Sequence, residues 1–217
     1  MDAKLIRGFT LWELMTSLAV IGILLGIGVP SLMELQRNMA ITSAANDLVS
    51  ALLAARAEAV KRQVPVTVCA SPNPLAAAPA CSPTGAGTNG GFVVWVDENG
   101  NLDGNGAPIL TDASDGNAVV DGGETVLIAR PAPGGVINVF GDSGYISYGA
   151  NGFRRDVPGL NVAANDVLYC DDRGNRPAAG NASTARVVRI DALGRGQVLR
   201  TVNEITPIVA ALGAACP

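Results

Sequence analysis

The chain has 217 residues, 48% of them hydrophobic and only 4% aromatic, with 26 glycines and 13 prolines, which fits one apolar segment and one turn-rich globular domain. Histidine is absent, which excludes Ser-His-Asp and Cys-His catalysis and histidine-ligated metal sites. Phosphate-binding, dinucleotide-binding and Gly-x-Ser-x-Gly motifs are also missing from the sequence. A membrane-anchored enzyme is therefore disfavoured, and no cofactor is expected.

The net charge of −4 is unevenly distributed along the chain. Residues 64–150 carry eight acidic residues and the single base Arg130, whereas residues 151–217 carry eight arginines and six acidic residues. This asymmetry indicates either separate interaction faces or solvated loops of opposite charge.

The N-terminal residues combine a short basic leader with a long apolar run. Gly8 is followed at once by Phe9, and Glu13 precedes the uncharged stretch from Leu14 to Met33. Twenty such residues suffice for one bilayer crossing. A secretory signal peptide would be cut after the apolar run, whereas a cut between Gly8 and Phe9 would keep this run in the mature protein. An acid inside the membrane zone usually has a partner and a function, and Glu13 would lie one helical turn from the new amine of Phe9. The alternative is an ordinary signal anchor with an acid at its membrane edge.

The sequence Arg7-Gly8-Phe9-Thr10-Leu11-Trp12-Glu13-Leu14 resembles the class III signal of type IV pilins and pseudopilins. The resemblance implies that a prepilin peptidase cuts after Gly8, that Phe9 is N-methylated, and that Glu13 acts in assembly. It also implies that Pro30 breaks the first helix. The expected partners are other major and minor pilins, bound through the N-terminal helix, and an inner-membrane assembly platform. Trp12 departs from the pattern, because an aliphatic residue is commoner there.

Beyond Pro30 the helical pattern resumes and continues to about Gln63. Apolar residues recur at steps of three and four and so form one stripe along a helix; they are Ile41, Ala45, Leu48, Leu52, Ala55 and Ala59. The predicted organisation is a leader at 1–8, a membrane-spanning half-helix at 9–33, an amphipathic half-helix at 34–63 and a β-rich head at 64–217.

After residue 63 the sequence changes to short β-branched runs separated by Gly, Pro, Asn and Asp. The predicted strands are Val64–Ala70, Gly91–Val96, Thr125–Arg130, Val136–Phe140, Gly144–Tyr148, Asp166–Cys170, Arg186–Ile190 and Gln197–Val202. No helical pattern separates them, so a mainly antiparallel sheet is expected. The predicted fold class is α+β, with a long N-terminal helix packed on this sheet. The blocks VPVTVCAS, FVVWVDENGN, CDDRG and ARVVRIDALGRG resemble the GspH/FimT (FimU-like) branch of minor pilins.

Four cysteines in a chain with an export signal indicate two disulfides formed in an oxidising compartment. Cys69 and Cys81 flank a proline-rich stretch, and a bond between them would contribute about 2–3 kcal/mol on chain-entropy grounds. Cys170 and Cys216 would then tie the C-terminal tail to a strand. Three connectivities are possible with four cysteines, and this pairing is the favoured one.

One acidic stretch has the spacing of a calcium loop. Asp97, Asn99, Asn101 and Asp103 place oxygen-bearing side chains at alternate positions. The sixth and twelfth positions, however, lack the glycine and glutamate of an EF-hand. Asn-Gly and Asp-Gly pairs are also typical of turns, so a turn is the favoured interpretation and no metal is expected.

A second candidate site lies near the C-terminus. Gly194-Arg195-Gly196-Gln197 resembles the Gly-Arg-x-Arg element through which some FimT-group proteins capture DNA, but the second arginine is missing. Arg195 and Arg200 are the possible DNA contacts. The acidic middle of the chain repels phosphate, and these arginines could instead pair with Asp171, Asp172 and Asp191. Nucleic-acid binding is therefore not the favoured function.

Together these features predict a minor pilin of the GspH/FimT type that helps to initiate or cap a type IV pilus, the filament of twitching, adhesion and DNA uptake. It would be a single-pass inner-membrane protein with its head in the periplasm, and would then join the filament at the cell surface. The alternatives are a GspH-like pseudopilin of a type II secretion system and a DNA-binding minor pilin for transformation.

Overall fold

The computed structural model describes residues 9–81, 91–97, 120, 124–141, 144–157 and 163–212. The chain divides into two compact units, Met1–Met39 and Ala40–Pro217. We call the first the N-terminal unit and the second the globular unit.

The N-terminal unit consists of the first part of helix α1, which spans Leu11–Arg62. Within the described chain, α1 is the one helix that is long and apolar enough to cross a membrane. Its large apolar side chains are exposed in the isolated chain, from Leu11 at 77% to Ile27 at 73%. A contiguous apolar surface of this size is typical of a membrane-spanning or partner-covered segment.

Helix α1 continues through Pro30, where the resemblance to pilins implies a break. Proline has no N–H to donate to the carbonyl four residues earlier, yet α1 is α-helical on both sides of Pro30. One missing hydrogen bond does not end a helix of 52 residues, and the break that the resemblance implies at Pro30 stays a prediction. Ser31 lies beside it, and its hydroxyl donates to the carbonyl of Gly28 at 2.9 Å.

In the globular unit, α1 buries the predicted apolar stripe. All six stripe residues are 1% exposed or less. Three of them are alanines, and Ala44 and Ala51 lie beside them, so the small side chains allow the helix to lie close to the strands beneath it. The helix ends at Arg62, and Gln63 takes a left-handed φ of 62° while its N–H donates to the carbonyl of Ala59. This is a common way to close a helix C-terminus.

The described residues form nine strands: β1 (Val66–Ala70), β2 (Gly91–Val96), β3 (Thr125–Pro131), β4 (Ile137–Phe140), β5 (Tyr145–Tyr148), β6 (Arg154–Arg155), β7 (Asp166–Cys170), β8 (Ala182–Ile190) and β9 (Gly196–Thr201). All eight predicted strands are present, most of them within two residues of the expected bounds, and the two-residue β6 was not predicted. Every strand pair is antiparallel. The predicted α+β fold class is confirmed.

The strands form two sheets rather than one. The first sheet has the order β3-β2-β1-β5-β6 and the second the order β4-β7-β8-β9. Alternate residues of both sheets face α1 and share one core with it, for example Val68 in the first sheet and Val188 in the second. The opposite face of the first sheet buries Trp95 and Tyr145, so strands β1 and β2 are covered on both faces.

The C-terminal end differs from the prediction. The strand expected at Gln197–Val202 stops at Thr201, and residues Val202–Ala211 form helix α2. Ile205 and Ile208 of α2 pack on the face of the second sheet that is turned away from α1. The helix begins with a capping box in which Thr201 and Glu204 bind each other's backbone N–H groups.

Candidate functional site

The predicted assembly residue Glu13 lies in the first turn of α1. The backbone N–H and the hydroxyl of Thr10 both donate to Glu13 Oε2 at 3.0 Å, and the N–H of Glu13 donates back to Thr10 Oγ1 at 3.2 Å. This is a capping box, which satisfies two backbone donors that a helix start leaves free. The chain therefore orients the Glu13 carboxylate at the helix start.

Among the described residues, none of the ion pairs found includes Glu13. Its carboxylate carries the one charge between Phe9 and Met33. Phe9 is 84% exposed and lies two positions before the first residue of α1. Gly8 lies outside the described residues, so cleavage after Gly8 stays a prediction.

The predicted bond between Cys69 and Cys81 is present, with 5.8 Å between the two Cα atoms. Cys69 is buried on β1, and the proline-rich segment that it closes is mostly exposed. Inside this loop the N–H of Ala80 donates to Asn73 Oδ1 at 2.8 Å. The disulfide therefore ties a surface loop to a central strand.

The second predicted disulfide is only half described. Cys170 ends β7 and is buried in the core beneath α2. Cys216 lies outside the described residues, so the bond from Cys170 to Cys216 stays a prediction.

The candidate calcium residues are also partly described. Asp97 follows β2 and is buried, and its Oδ2 accepts a hydrogen bond from the Thr67 hydroxyl at 2.7 Å. The same hydroxyl lies 2.9 Å from Ser147 Oγ. Asn99, Asn101 and Asp103 lie outside the described residues. Within the described part of the chain no cluster of three His, Cys, Asp or Glu side chains could hold a metal.

Arg195, the first candidate DNA contact, lies in the turn between β8 and β9 and is bound to Asp191. Its Nε lies 2.9 Å from Asp191 Oδ2, and its backbone N–H donates to Asp191 Oδ1 at 2.8 Å. These contacts, the backbone N–H of Arg195 first, hold the pKa of the Asp191 carboxyl below its ordinary value. The Tyr148 hydroxyl also donates to the carbonyl of Gly194 at 2.5 Å. Arg195 therefore helps to close a turn that is fixed to the first sheet.

Arg200, the second candidate DNA contact, lies near the far end of β9. It lies five positions after Arg195, which is about 16 Å along an extended strand. Arg200 is exposed, and the structure does not bring the two arginines into one site.

The sequence of the globular unit matches a known family. The family model described as type II transport protein GspH matches residues 44–194. The chain belongs to the GspH family. This match confirms the recognition of a GspH/FimT-type pilin that was made from the sequence.

Two solved structures are similar to this GspH-family chain, both of the type IV minor pilin FimU from Pseudomonas aeruginosa. In the P21 crystal form the identity is 18% and the TM-score 0.39, over 73% of this chain and 87% of FimU. In the P65 form the values are 17% and 0.38, over 73% and 91%. No curated protein sequence matches the chain.

The GspH-family match begins after Glu13 and ends before Arg195. The family match therefore includes neither the start of α1, where Glu13 lies, nor α2. Two features of these regions were missed in the sequence, although both carried a readable signal. Thr10-x-x-Glu13 and Thr201-x-x-Glu204 each have the Ser/Thr-x-x-Glu spacing that marks a helix start.

Proposed function

We propose that this GspH-family protein is a minor pilin that helps to initiate or assemble a type IV pilus. The observation that carries the proposal is the combination of a GspH-family globular unit with an exposed apolar helix whose start holds the single acid Glu13. No enzymatic role is proposed.

In this proposal the precursor is held in the inner membrane by residues 9–33, with the globular unit in the periplasm. A prepilin peptidase removes residues 1–8, which creates a free amine on Phe9 beside Glu13. The amine of a neighbouring subunit then pairs with Glu13 and sets the axial register. A head-to-tail contact of this kind is heterologous and generates a helical filament.

The segment around Pro30 supports extraction from the bilayer. Gly26, Gly28 and Pro30 lower local helix stability, because glycine costs about 1 kcal/mol and proline about 3 kcal/mol relative to alanine in a helix interior. The helix is continuous here in the isolated chain. We propose that it opens at this point only when neighbouring subunits cover the apolar surface.

A pseudopilin of a type II secretion system is the second candidate, and it is favoured by the description of the matching family, type II transport protein. The two functions share the N-terminal chemistry and differ in the filament that they serve. Deletion of the gene separates them. Loss of surface pili with normal protein secretion supports the minor pilin, and loss of secretion with normal pili supports the pseudopilin.

Processing tests both candidates together. Mass spectrometry of the mature protein should show the loss of residues 1–8 and one added methyl group on Phe9. An intact N-terminus, or a cut after Met33, would contradict both assignments.

DNA capture is the least supported candidate. Arg195 is bound to Asp191, and the repulsion from the acidic middle of the chain acts over a Debye length of about 8–10 Å. Weak or no binding of duplex DNA is expected at physiological salt. A gel shift at micromolar protein that disappears in Arg195→Ala/Arg200→Ala would reverse this conclusion.

A further inference from the structure

A narrow cleft of the globular unit lies between α1, the beginning of β2, the end of β3, and β7. Its apolar walls are formed by Ala44, Phe92, Pro131 and Pro133, and Asp47, Arg130 and Tyr169 also line it. It has room for about one group of the size of a water molecule. All of these residues belong to the globular unit, so the cleft is a feature of that unit alone. We call it the Tyr169 cleft.

Tyr169 brings a buried hydroxyl group to this cleft. The residue is 2% exposed and packs in the core beneath α1. Its hydroxyl has no hydrogen-bond partner within the part of the chain that the structure describes. Burial, followed by the charge of Asp47, raises the pKa of Tyr169, so the phenol is neutral and lies within reach of the field of that carboxylate. A buried tyrosine hydroxyl usually has a partner, which makes this one a candidate for binding a ligand.

The two charged residues of the cleft differ in how far they are already used. Asp47 is exposed, and over the described residues it forms neither an ion pair nor a side-chain hydrogen bond. The guanidinium of Arg130 donates to the carbonyl of Ala129 on its own strand at 3.3 Å. Asp47 is also the charge that acts on the Tyr169 hydroxyl. The cleft therefore suits a cation better than an anion.

From this geometry we infer that the Tyr169 cleft binds a primary ammonium group, the tip of a lysine side chain from a neighbouring pilin subunit. An ammonium group is compact and carries three donors, so it can donate to the Asp47 carboxylate and to the Tyr169 hydroxyl oxygen together. The planar guanidinium of an arginine is larger than the available space. The methylene stem of a lysine can pack on Phe92 and the two prolines. The choice of a pilin as the source of the lysine rests on the proposed function, whereas the ammonium site itself does not.

Titration of the full chain in detergent with small probes tests the site. The chain has three tyrosines, so the ring signals of ¹³C-labelled tyrosine are few, and Tyr169→Phe assigns the signal of Tyr169. N-acetyl-lysine methylamide should shift this signal with half-saturation at about 10 mM or below. The norleucine analogue, which has the same stem without the ammonium group, should not shift it. The signals of Tyr145 and Tyr148, outside the cleft, should stay unchanged.

Charge variants give the sign of the ligand. Asp47→Asn should weaken lysine binding about tenfold, because a charge-assisted hydrogen bond is lost, and Arg130→Gln should leave it unchanged or strengthen it. Glu34→Gln, an acid of the same helix outside the cleft, should have no effect. Asp47 is exposed, so its replacement leaves the fold intact. Absence of a saturable shift with the lysine probe would overturn the inference. So would equal binding of the norleucine analogue, or binding of acetate that is lost in Arg130→Gln.

The source of the lysine is tested in cells with each variant as the sole copy. Asp47→Asn should lower the amount of the chain in sheared filaments and leave its amount in membranes unchanged, whereas Arg130→Gln should keep both. Normal incorporation of Asp47→Asn would overturn a neighbouring pilin as the source. Absence of the unchanged protein from filaments would contradict the proposed function, and the pilin source with it, while the probe titrations still decide the ammonium site.

Discussion

The two roles of Glu13, helix capping and charge pairing, can be separated by mutation. Thr10→Ala and Glu13→Ala both destroy the capping box, which joins the two side chains at 3.0 Å. Loss of a cap costs about 1 kcal/mol, which is about a fivefold change in an equilibrium. Only the Glu13 change also removes the carboxylate. In the proposed filament this carboxylate pairs with the amine of a neighbouring subunit, so the Glu13 change removes a charge pair as well as the cap and leaves the amine without its partner.

Glu13→Ala and Glu13→Gln should therefore abolish assembly, whereas Thr10→Ala should reduce it only slightly. Membrane insertion should be unchanged or improved in the Glu13 variants, because a costly charge is removed from the apolar zone. The assay is immunoblotting of sheared filaments and of membranes, with each variant as the sole copy. Equal losses in Thr10→Ala and Glu13→Ala would show that Glu13 acts as a cap. Normal filaments with Glu13→Gln would show that its charge is not used.

Three further predictions concern the thermal midpoint of the globular unit, measured on the full chain in detergent. Replacing Cys69 and Cys81 by serine should lower the midpoint by about 6–12 °C, because loss of the disulfide lowers the free energy of unfolding by about 3 kcal/mol. An equal midpoint for the oxidised protein and the variant would contradict this. Gly194→Ala should cost about 2–4 kcal/mol, because φ is 79° and the new Cβ would lie 2.4 Å from the ring of Tyr148. Gly180→Ala, with φ of 70° and open space around it, should cost only about 1 kcal/mol, and equal losses would refute the steric argument. Asp191→Asn should lower the midpoint at neutral pH, and the difference from the unchanged protein should vanish in acid. The pKa of Asp191 is lower in the folded state than in the unfolded state, so its charge stabilises the fold above the unfolded pKa, and this stabilisation is lost as the pH falls through the folded pKa. A difference in midpoint that persists in acid would rule out the charge as its cause.

Features that depend on local periodicity and composition could be predicted from the sequence. The apolar stripe of α1 was identified because its spacing is that of one helix face, and all of it is buried. The eight predicted strands follow β-branched runs bounded by turn residues, and each is present. The pairing of Cys69 with Cys81 was favoured because Cys216, next to the last residue, is most useful as a clamp on the C-terminal tail, and the Cys69–Cys81 bond is confirmed.

The missed elements are those in which two local signals compete or in which no local signal exists. Strand β6 has two residues, Arg154 and Arg155, and is defined only by pairing with β5. The run from Gln197 to Val202 has the composition of a strand. The capping box of Thr201 and Glu204, which starts α2 at the end of this run, was therefore not recognised from the sequence. The apolar face of this helix finds its partner on the second sheet, which lies far away in the sequence.

The N-terminal motif, the membrane-length run and the position of Glu13 were determined by sequence alone, because each depends on neighbours within one or two helical turns. The choice of aspartate that each arginine meets was decided only by the folded chain. Arg195 meets Asp191 across a turn, and Arg189 meets Asp166 across two strands. Charges act through space, so the strand register, which no stretch of sequence specifies by itself, decides which of them are neutralised.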